Sequence, residues 1–208
     1  AMNTAEVNLY RHVWVVGEHH DGRLKAVTFE LLGIARDLAR QRACEVWCVL
    51  LGERLADLAP PSVQSGADVV LAVDDPKLAE PVDDVRARAL VRLVRTYRPE
   101  IVLCGATAGG RALMPRVAVQ LHTGLTADCT GLAIEPETGA LLQTRPAFGG
   151  NLMATIACRN HRPQMATVRP RVMPRPEPDP QRRGRLLFET YSAHPHDGLT
   201  RILRRIPA

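Results

Sequence analysis

Short apolar runs alternate with stretches of helix-spaced apolar positions along the first 122 residues. The run from His12 to Glu18 is apolar as far as Gly17 and reads as a buried strand. Thr28 to Gln41 then carries Leu31, Leu32, Ile34, Ala35, Leu38 and Ala39 at helical spacing. Cys44 to Leu51 is a second continuous apolar strand, stopped by Gly52. Leu55 to Ala59 predicts a short helix ended by Pro60-Pro61, Val63 to Ala67 one more helical turn, and Asp68 to Val73 a third strand. Beyond a loop over 74–81, Val82, Val85, Ala89, Leu93, Val94 and Tyr97 mark a helix. Asp83 and Asp84 at its start and Arg92, Arg95 and Arg98 at its end complement the helix dipole, and Pro99 stops it. Glu100 to Gly105 is a fourth strand, Ala106 to Gly110 a small-residue turn, and Arg111 to His122 a helix with Pro115 near its first turn, where proline is tolerated.

Strands that are apolar throughout and separated by helices predict an α/β fold. The expected architecture is a doubly wound, mostly parallel sheet with helices on both faces. Ligands in such folds sit beyond the carboxyl ends of the strands. After about residue 125 the pattern changes. Asp128 to Ile134, Ala140 to Arg145, Leu152 to Cys158 and Gln164 to Arg169 read as four strands with short turns, Glu137-Thr138-Gly139 being a hairpin-type turn. They predict an antiparallel extension in the C-terminal third. Pro170 to Pro180 reads as a proline-rich linker, Leu186 to Tyr191 as a further strand, and Leu199 to Ile206 as an amphipathic helix. The expected division is an α/β scaffold domain over 1–170 and a Pro/Arg-rich linker over 171–208.

Composition narrows the function classes. Aromatic residues make up only 4% of the chain, so the core is aliphatic and aromatic stacking platforms for single-stranded nucleic acid are not expected. No stretch approaches the 18 or so consecutive apolar residues of a membrane span. The first residues show no basic region followed by an apolar run, so no signal peptide is expected. The five cysteines, Cys44, Cys48, Cys104, Cys129 and Cys158, form no CxxC and no zinc spacing. They read as buried thiols in a reducing, cytoplasmic setting, with Cys44 and Cys48 also spaced to face one way. The net charge of +5 is concentrated at the end of the chain: residues 159–208 hold eleven arginines against four acids. Proline alternates with these arginines and no recognition motif accompanies them, so the segment reads as a linker lying on a partner or solvated, not as a nucleic-acid site.

Several stretches carry candidate chemistry. Gly105-Ala106-Thr107-Ala108-Gly109-Gly110-Arg111 lies between a strand and a helix, where backbone N–H groups can hold a phosphate or small residues can allow close packing. It matches neither GxGxxG nor a P-loop. His122, Asp128 and Cys129 lack a third group that would make them catalytic, and His19-His20-Asp21-Gly22 lacks further metal ligands. No nucleophile motif is present, and no catalytic or metal-binding residue is expected. Arg145-Pro146-Ala147-Phe148-Gly149-Gly150-Asn151 is the most unusual stretch. Paired glycines there permit positive φ and close approach of a flat ring or another backbone, or simply a bulge at a sheet edge.

The segment from Pro99 to Leu103, continued by Gly109-Gly110-Arg111-Ala112-Leu113-Met114-Pro115-Arg116-Val117-Ala118, closely resembles the alpha subunit of electron-transfer flavoproteins. Thr123 to Cys129, Arg145 to Ile156 and His161 to Pro170 extend the resemblance over nearly the whole chain. It implies a heterodimer of alpha and beta chains that moves electrons from dehydrogenases to acceptors such as a quinone reductase by way of FAD. It also implies that this region is a non-catalytic scaffold packed on the beta subunit. The FAD-holding domain would follow Ala208, so FAD is expected in the intact heterodimer and not on this part alone. Phe148-Gly149-Gly150-Asn151 with Met153-Ala154-Thr155 is most similar to relatives that bifurcate electrons from NADH and to nitrogen-fixation-associated ones. Arg171 stands where those relatives commonly have glycine. The residues expected to border a flavin on the beta side are Arg145, Phe148, Gly149, Gly150 and Asn151. The alternative is a free-standing module binding AMP or ATP at the 105–111 turn, and a third reading is an interaction domain with no small ligand.

Overall fold

The computed structural model describes residues 2, 4–147, 152–197, 199–200 and 202–204. A short helix α1 (Thr4–Val7) precedes strand β1 (Val13–Val16), the small hairpin β2 (His19–His20) and β3 (Arg23–Leu24), and helix α2 (Ala26–Gln41). Then come β4 (Val46–Gly52), α3 (Ala59–Gln64), β5 (Val69–Asp74), α4 (Asp83–Tyr97), β6 (Ile101–Gly105) and α5 (Ala108–Leu121). The last third holds β7 (Leu125–Cys129), β8 (Gly131–Ile134), β9 (Leu141–Pro146), β10 (Met153–Ala157), β11 (Gln164–Val168) and β12 (Arg185–Glu189).

Seven strands form one parallel sheet in the order β12-β5-β4-β1-β6-β11-β7. Side chains alternate across it, so each strand feeds two cores. On one face Val15, Cys48, Leu50, Val70 and Leu103 meet Leu31, Leu32, Ala35 and Leu38 of α2. On the other Trp14, Val49, Leu71, Val102 and Met165 meet Leu90 and Val94 of α4 and Met114 and Val117 of α5. This is the predicted doubly wound α/β fold. The antiparallel part is a separate three-stranded sheet, β10-β9-β8. Of the strands after α5, β8, β9 and β10 run antiparallel, whereas β7, β11 and β12 join the parallel sheet.

The single strand expected from Asp128 to Ile134 is divided between the sheets, because Asp128 takes a left-handed φ of 59° and a bulge interrupts the β7–β11 ladder. The expected hairpin turn at Glu137-Thr138-Gly139 is present, with Gly139 at φ 70° and its N–H donating to the Glu135 carbonyl. Pro60 and Pro61 open α3 instead of ending a helix: they occupy its first turn, where no intrahelical N–H is needed. Leu199, Thr200 and Ile202–Arg204 are not helical, in contrast to the predicted terminal helix.

α5 starts at Ala108, not Arg111, which puts Pro115 inside the helix. The Thr107 hydroxyl caps it by accepting the Gly110 N–H at 3.1 Å. A Cβ on Gly110 would run into the Gly105 carbonyl oxygen far inside van der Waals contact, whereas one on Gly109 meets nothing closer than Thr107 Oγ1 at 3.9 Å. The small residues of 105–110 therefore serve close packing of helix on strand. Gly110→Ala is expected to cost about 2 kcal/mol or more by overpacking. Gly109→Ala is expected to be neutral or to stabilise by up to about 1 kcal/mol through helix propensity. Urea unfolding of the two variants side by side checks this.

Candidate functional site

The sheet order reverses at β1: β4 and β5 extend to one side and β6 to the other. At this switch point, beyond the carboxyl ends of β1, β4 and β6, lies a crevice of about 400 Å³. Gly17 and Glu18 line it from β1, Leu51 from β4, Cys104 from β6, and Gly109 and Gly110 from α5. Glu18 is its most constrained charged group. Its backbone N–H donates to Thr28 Oγ1 (2.9 Å), and its carbonyl accepts from that hydroxyl (3.1 Å) and from the Lys25 N–H (2.8 Å). Its carboxylate Oε2 accepts from Thr107 Oγ1 (2.8 Å) and Lys25 Nζ (3.1 Å). A carboxylate of the chain's own is thus bonded to the residue that caps α5. Asp21, Glu53 and Asp83 also line the crevice, against the basic side chains of Lys25 and Arg86. The acidic surplus opposes a phosphate at the α5 N-terminus, where the helix dipole alone would favour one.

His19 sits in the crevice wall, with Nε2 3.0 Å from the Leu51 carbonyl oxygen. Burial lowers its pKa below 6.5, outweighing that hydrogen bond. The neutral ring therefore donates from Nε2. His20 pairs with Asp21 at 3.4 Å on the surface. The three residues weighed as a cluster are tied up elsewhere. Asp128 pairs with Arg111 at 3.0 Å, His122 ends α5 in a left-handed conformation, and burial pushes the Cys129 thiol up to about 11. Burial likewise raises Cys48 to about 12 and raises Cys104. These thiols pack and are not reactive.

A second feature lies at the far end of β9. Arg145 is half-buried, pairs through the ladder with Ala154 of β10, and donates from Nε to the neighbouring Pro146 carbonyl at 3.4 Å. No carboxylate among the described residues pairs with it. Next to it Leu152, Met153 and Ile156 are exposed at 67%, 57% and 41%. Phe148, Gly149, Gly150 and Asn151, the other residues expected at a flavin border, lie outside the described residues. Glu18 was not among the sequence candidates. Its signal was an acid directly after an apolar strand and a glycine, but the partners Thr107 and Lys25 come from elements that only the fold brings together.

The electron transfer flavoprotein domain model matches residues 13–187. The chain belongs to this family. It is 47% identical over 197 residues to the electron transfer flavoprotein subunit alpha of Thermoanaerobacterium thermosaccharolyticum, covering 95% of this chain and 59% of that protein. It is 50% identical over 171 residues to the subunit alpha of Clostridium acetobutylicum, covering 82% of this chain and 50% of that one. Protein FixB of Azorhizobium caulinodans is 43% identical over 201 residues, covering 95% and 54%. The chain thus spans about half the length of these flavoprotein relatives. No helix among the described residues is long and apolar enough to cross a membrane.

The basic end of this flavoprotein domain is not a solvated linker. Arg171 N–H donates to Glu30 Oε2 (2.7 Å), Pro174 and Pro176 lie against Gly33, and the Arg175 guanidinium stacks 4.3 Å over the Phe29 ring. Arg182 pairs with Asp68 and Arg185 with Glu45 at 2.5 and 2.6 Å. The segment is a strap across α2 and the start of β5, in which Arg182 and Arg185 pair with the body's own carboxylates and Arg171 is held through its backbone N–H.

Burial also lowers the pKa of His12, against the attraction of Glu45. For both His12 and His19 the folded pKa lies below the unfolded value of 6.5. Their contribution to stability is therefore fully present above about pH 6.5 and is lost as pH falls towards the folded values. The urea midpoint is expected to drop between pH 7 and 5, and His19→Gln, which keeps a donor for the Leu51 carbonyl, to flatten that dependence. An unchanged slope in the variant would remove His19 from the account.

Proposed function

We propose that this chain is the amino-terminal scaffold domain of an electron-transfer flavoprotein alpha subunit. It packs on a beta subunit, and the assembled pair carries electrons by way of FAD from a dehydrogenase to an acceptor such as a quinone reductase. Alone it has no turnover and holds no flavin. The scaffold, expected over 1–170, also takes in the strap and β12 (Arg185–Glu189), and the chain beyond leads towards an FAD-holding domain. The five free cysteines fit a reducing, cytoplasmic setting. The observation that carries this reading is the β9–β10 end, where exposed Leu152, Met153 and Ile156 flank a half-buried Arg145 with no paired carboxylate. Clustered exposed apolar side chains mark an interaction surface.

FAD supplies the electron chemistry when bound in the assembled dimer. Towards it, Arg145 offers a cation that pairs with no carboxylate among the described residues and bonds only the neighbouring Pro146 carbonyl. Phe148 would add an apolar contact, Gly149 and Gly150 room for close approach, and Asn151 a polar group. Positive charge favours a reduced, anionic flavin by about 1–3 kcal/mol when partly buried. In the full dimer Arg145→Ala is expected to lower a flavin potential by about 40–130 mV for a one-electron step. Spectroelectrochemical titration of the two dimers checks this, and an unchanged potential would take Arg145 off the flavin border.

The switch-point crevice favours a second reading, a nucleotide-binding module. Glu18 argues against it, because a phosphate at the α5 N-terminus would face that carboxylate. Calorimetry of the purified chain is expected to show no micromolar binding of AMP, ATP or FAD, and heat only on adding the beta chain. Micromolar AMP binding by the isolated chain would favour the module instead.

A further inference from the structure

β12 is the outermost strand of the parallel sheet: it pairs with β5 on one side and with nothing among the described residues on the other. The Arg185 N–H donates inward to the Asp68 carbonyl at 2.9 Å. Backbone direction alternates along a strand, so the N–H and C=O groups of Arg185, Leu187 and Glu189 face β5. Those of Leu186 and Phe188 face outward. Their side chains are exposed as well, at 39% and 58%. No proline, bulge or inward lysine interrupts these five residues, and the two charges on the edge, Arg185 and Glu189, stand at its ends.

The strand is complementary to its own reverse. In an antiparallel two-fold pairing centred on Leu187, Arg185 stands opposite Glu189 of a second copy and Leu186 opposite Phe188. Leu187 stands opposite Leu187. That register also places outward-facing backbone against outward-facing backbone, so Leu186 and Phe188 exchange N–H···O=C bonds, and Leu187 falls on a non-hydrogen-bonded pair. Both charges lie on one face of the sheet and already have partners in their own chain, which a cross-copy pair would extend. Arg185 lies 2.6 Å from Glu45, while Glu189 accepts from the Tyr97 hydroxyl at 2.5 Å and from Arg92 at 3.4 Å. Opposite-charge and apolar cross-strand pairs both stabilise such a seam.

We propose that this chain pairs edge to edge with a second copy of itself through β12, joining two seven-stranded sheets across a two-fold axis. The pairing goes beyond the flavoprotein reading and does not depend on it. Sedimentation equilibrium of the whole chain tests it and is expected to show a concentration-dependent dimer. Phe188→Pro removes an outward N–H without touching the β5 ladder and is expected to weaken the dimer at least tenfold. Leu187→Cys reads the register: non-hydrogen-bonded partners approach closely enough for a disulfide, so mild oxidant is expected to give a covalent dimer. Leu186→Cys and the unsubstituted chain are expected to stay uncross-linked. If Phe188→Pro fails to fold, the cross-linking result decides. A monomer at every accessible concentration, a dimer untouched by Phe188→Pro, or no cross-link through Leu187→Cys would overturn the proposal. So would a monomeric chain whose Phe188→Pro variant loses binding to the beta subunit, which would give this edge to that partner.

Discussion

A parallel sheet has to be covered on both faces, and this requirement decides where everything else in the molecule can happen. Trp14, Val49, Leu71 and Val102 point one way and Val15, Cys48, Leu50, Val70 and Leu103 the other, all buried beneath helices. Over these central strands neither face is open. What remains is the rim: the crevice at the switch point, the ends of the strands, the outer edge and the small antiparallel sheet. The close seat of Gly110 on the Gly105 carbonyl fixes one rim feature directly, because it sets α5 over the end of β6 and leaves its capping residue beside Glu18.

That geometry turns a familiar kind of ligand position into a structural one. The same architecture can hold an anion at the first turn after a strand. Here the hydroxyl of Thr107 serves the helix on one side and the Glu18 carboxylate on the other. With the crevice acidic, a cation paired with no carboxylate among the described residues lies elsewhere, at Arg145 beside exposed apolar side chains. The separation of packing, crevice and outer sheet is what a scaffold needs. On the reading proposed above, the covered parallel sheet would supply stability and the antiparallel sheet contact.

The parallel core was legible in the sequence because buried parallel strands are uniformly apolar, and EVWCVLL or DVVLAV admits little else. Local chemistry misled where one residue type serves two purposes. Pro60-Pro61 ends helices and also starts them, and glycines at 109–110 look like a turn although a cap and close packing carry them into α5. The division of one expected strand into β7 and β8 rests on a left-handed Asp128, a conformation that no local pattern announces. Arg171 likewise keeps a left-handed φ of 65° that glycine would adopt freely, held by its bond to Glu30. The basic end read as linker because its partners, Glu30, Asp68 and Glu45, are more than a hundred residues away in the chain. Of the candidate site, Arg145 was legible as an unusual residue; the Glu18–Thr107–Lys25 constellation was not, since it exists only after folding.

The central proposal is that this domain works through its antiparallel sheet and not through its crevice. Hydrogen exchange of the chain, measured with and without a beta subunit and with and without AMP, tests it most directly. The account predicts slowed exchange over residues 141–157 when the beta subunit is added, and no change around 16–25 and 105–113 with AMP. Protection of the crevice by AMP, with the 141–157 region indifferent to the beta subunit, would contradict it.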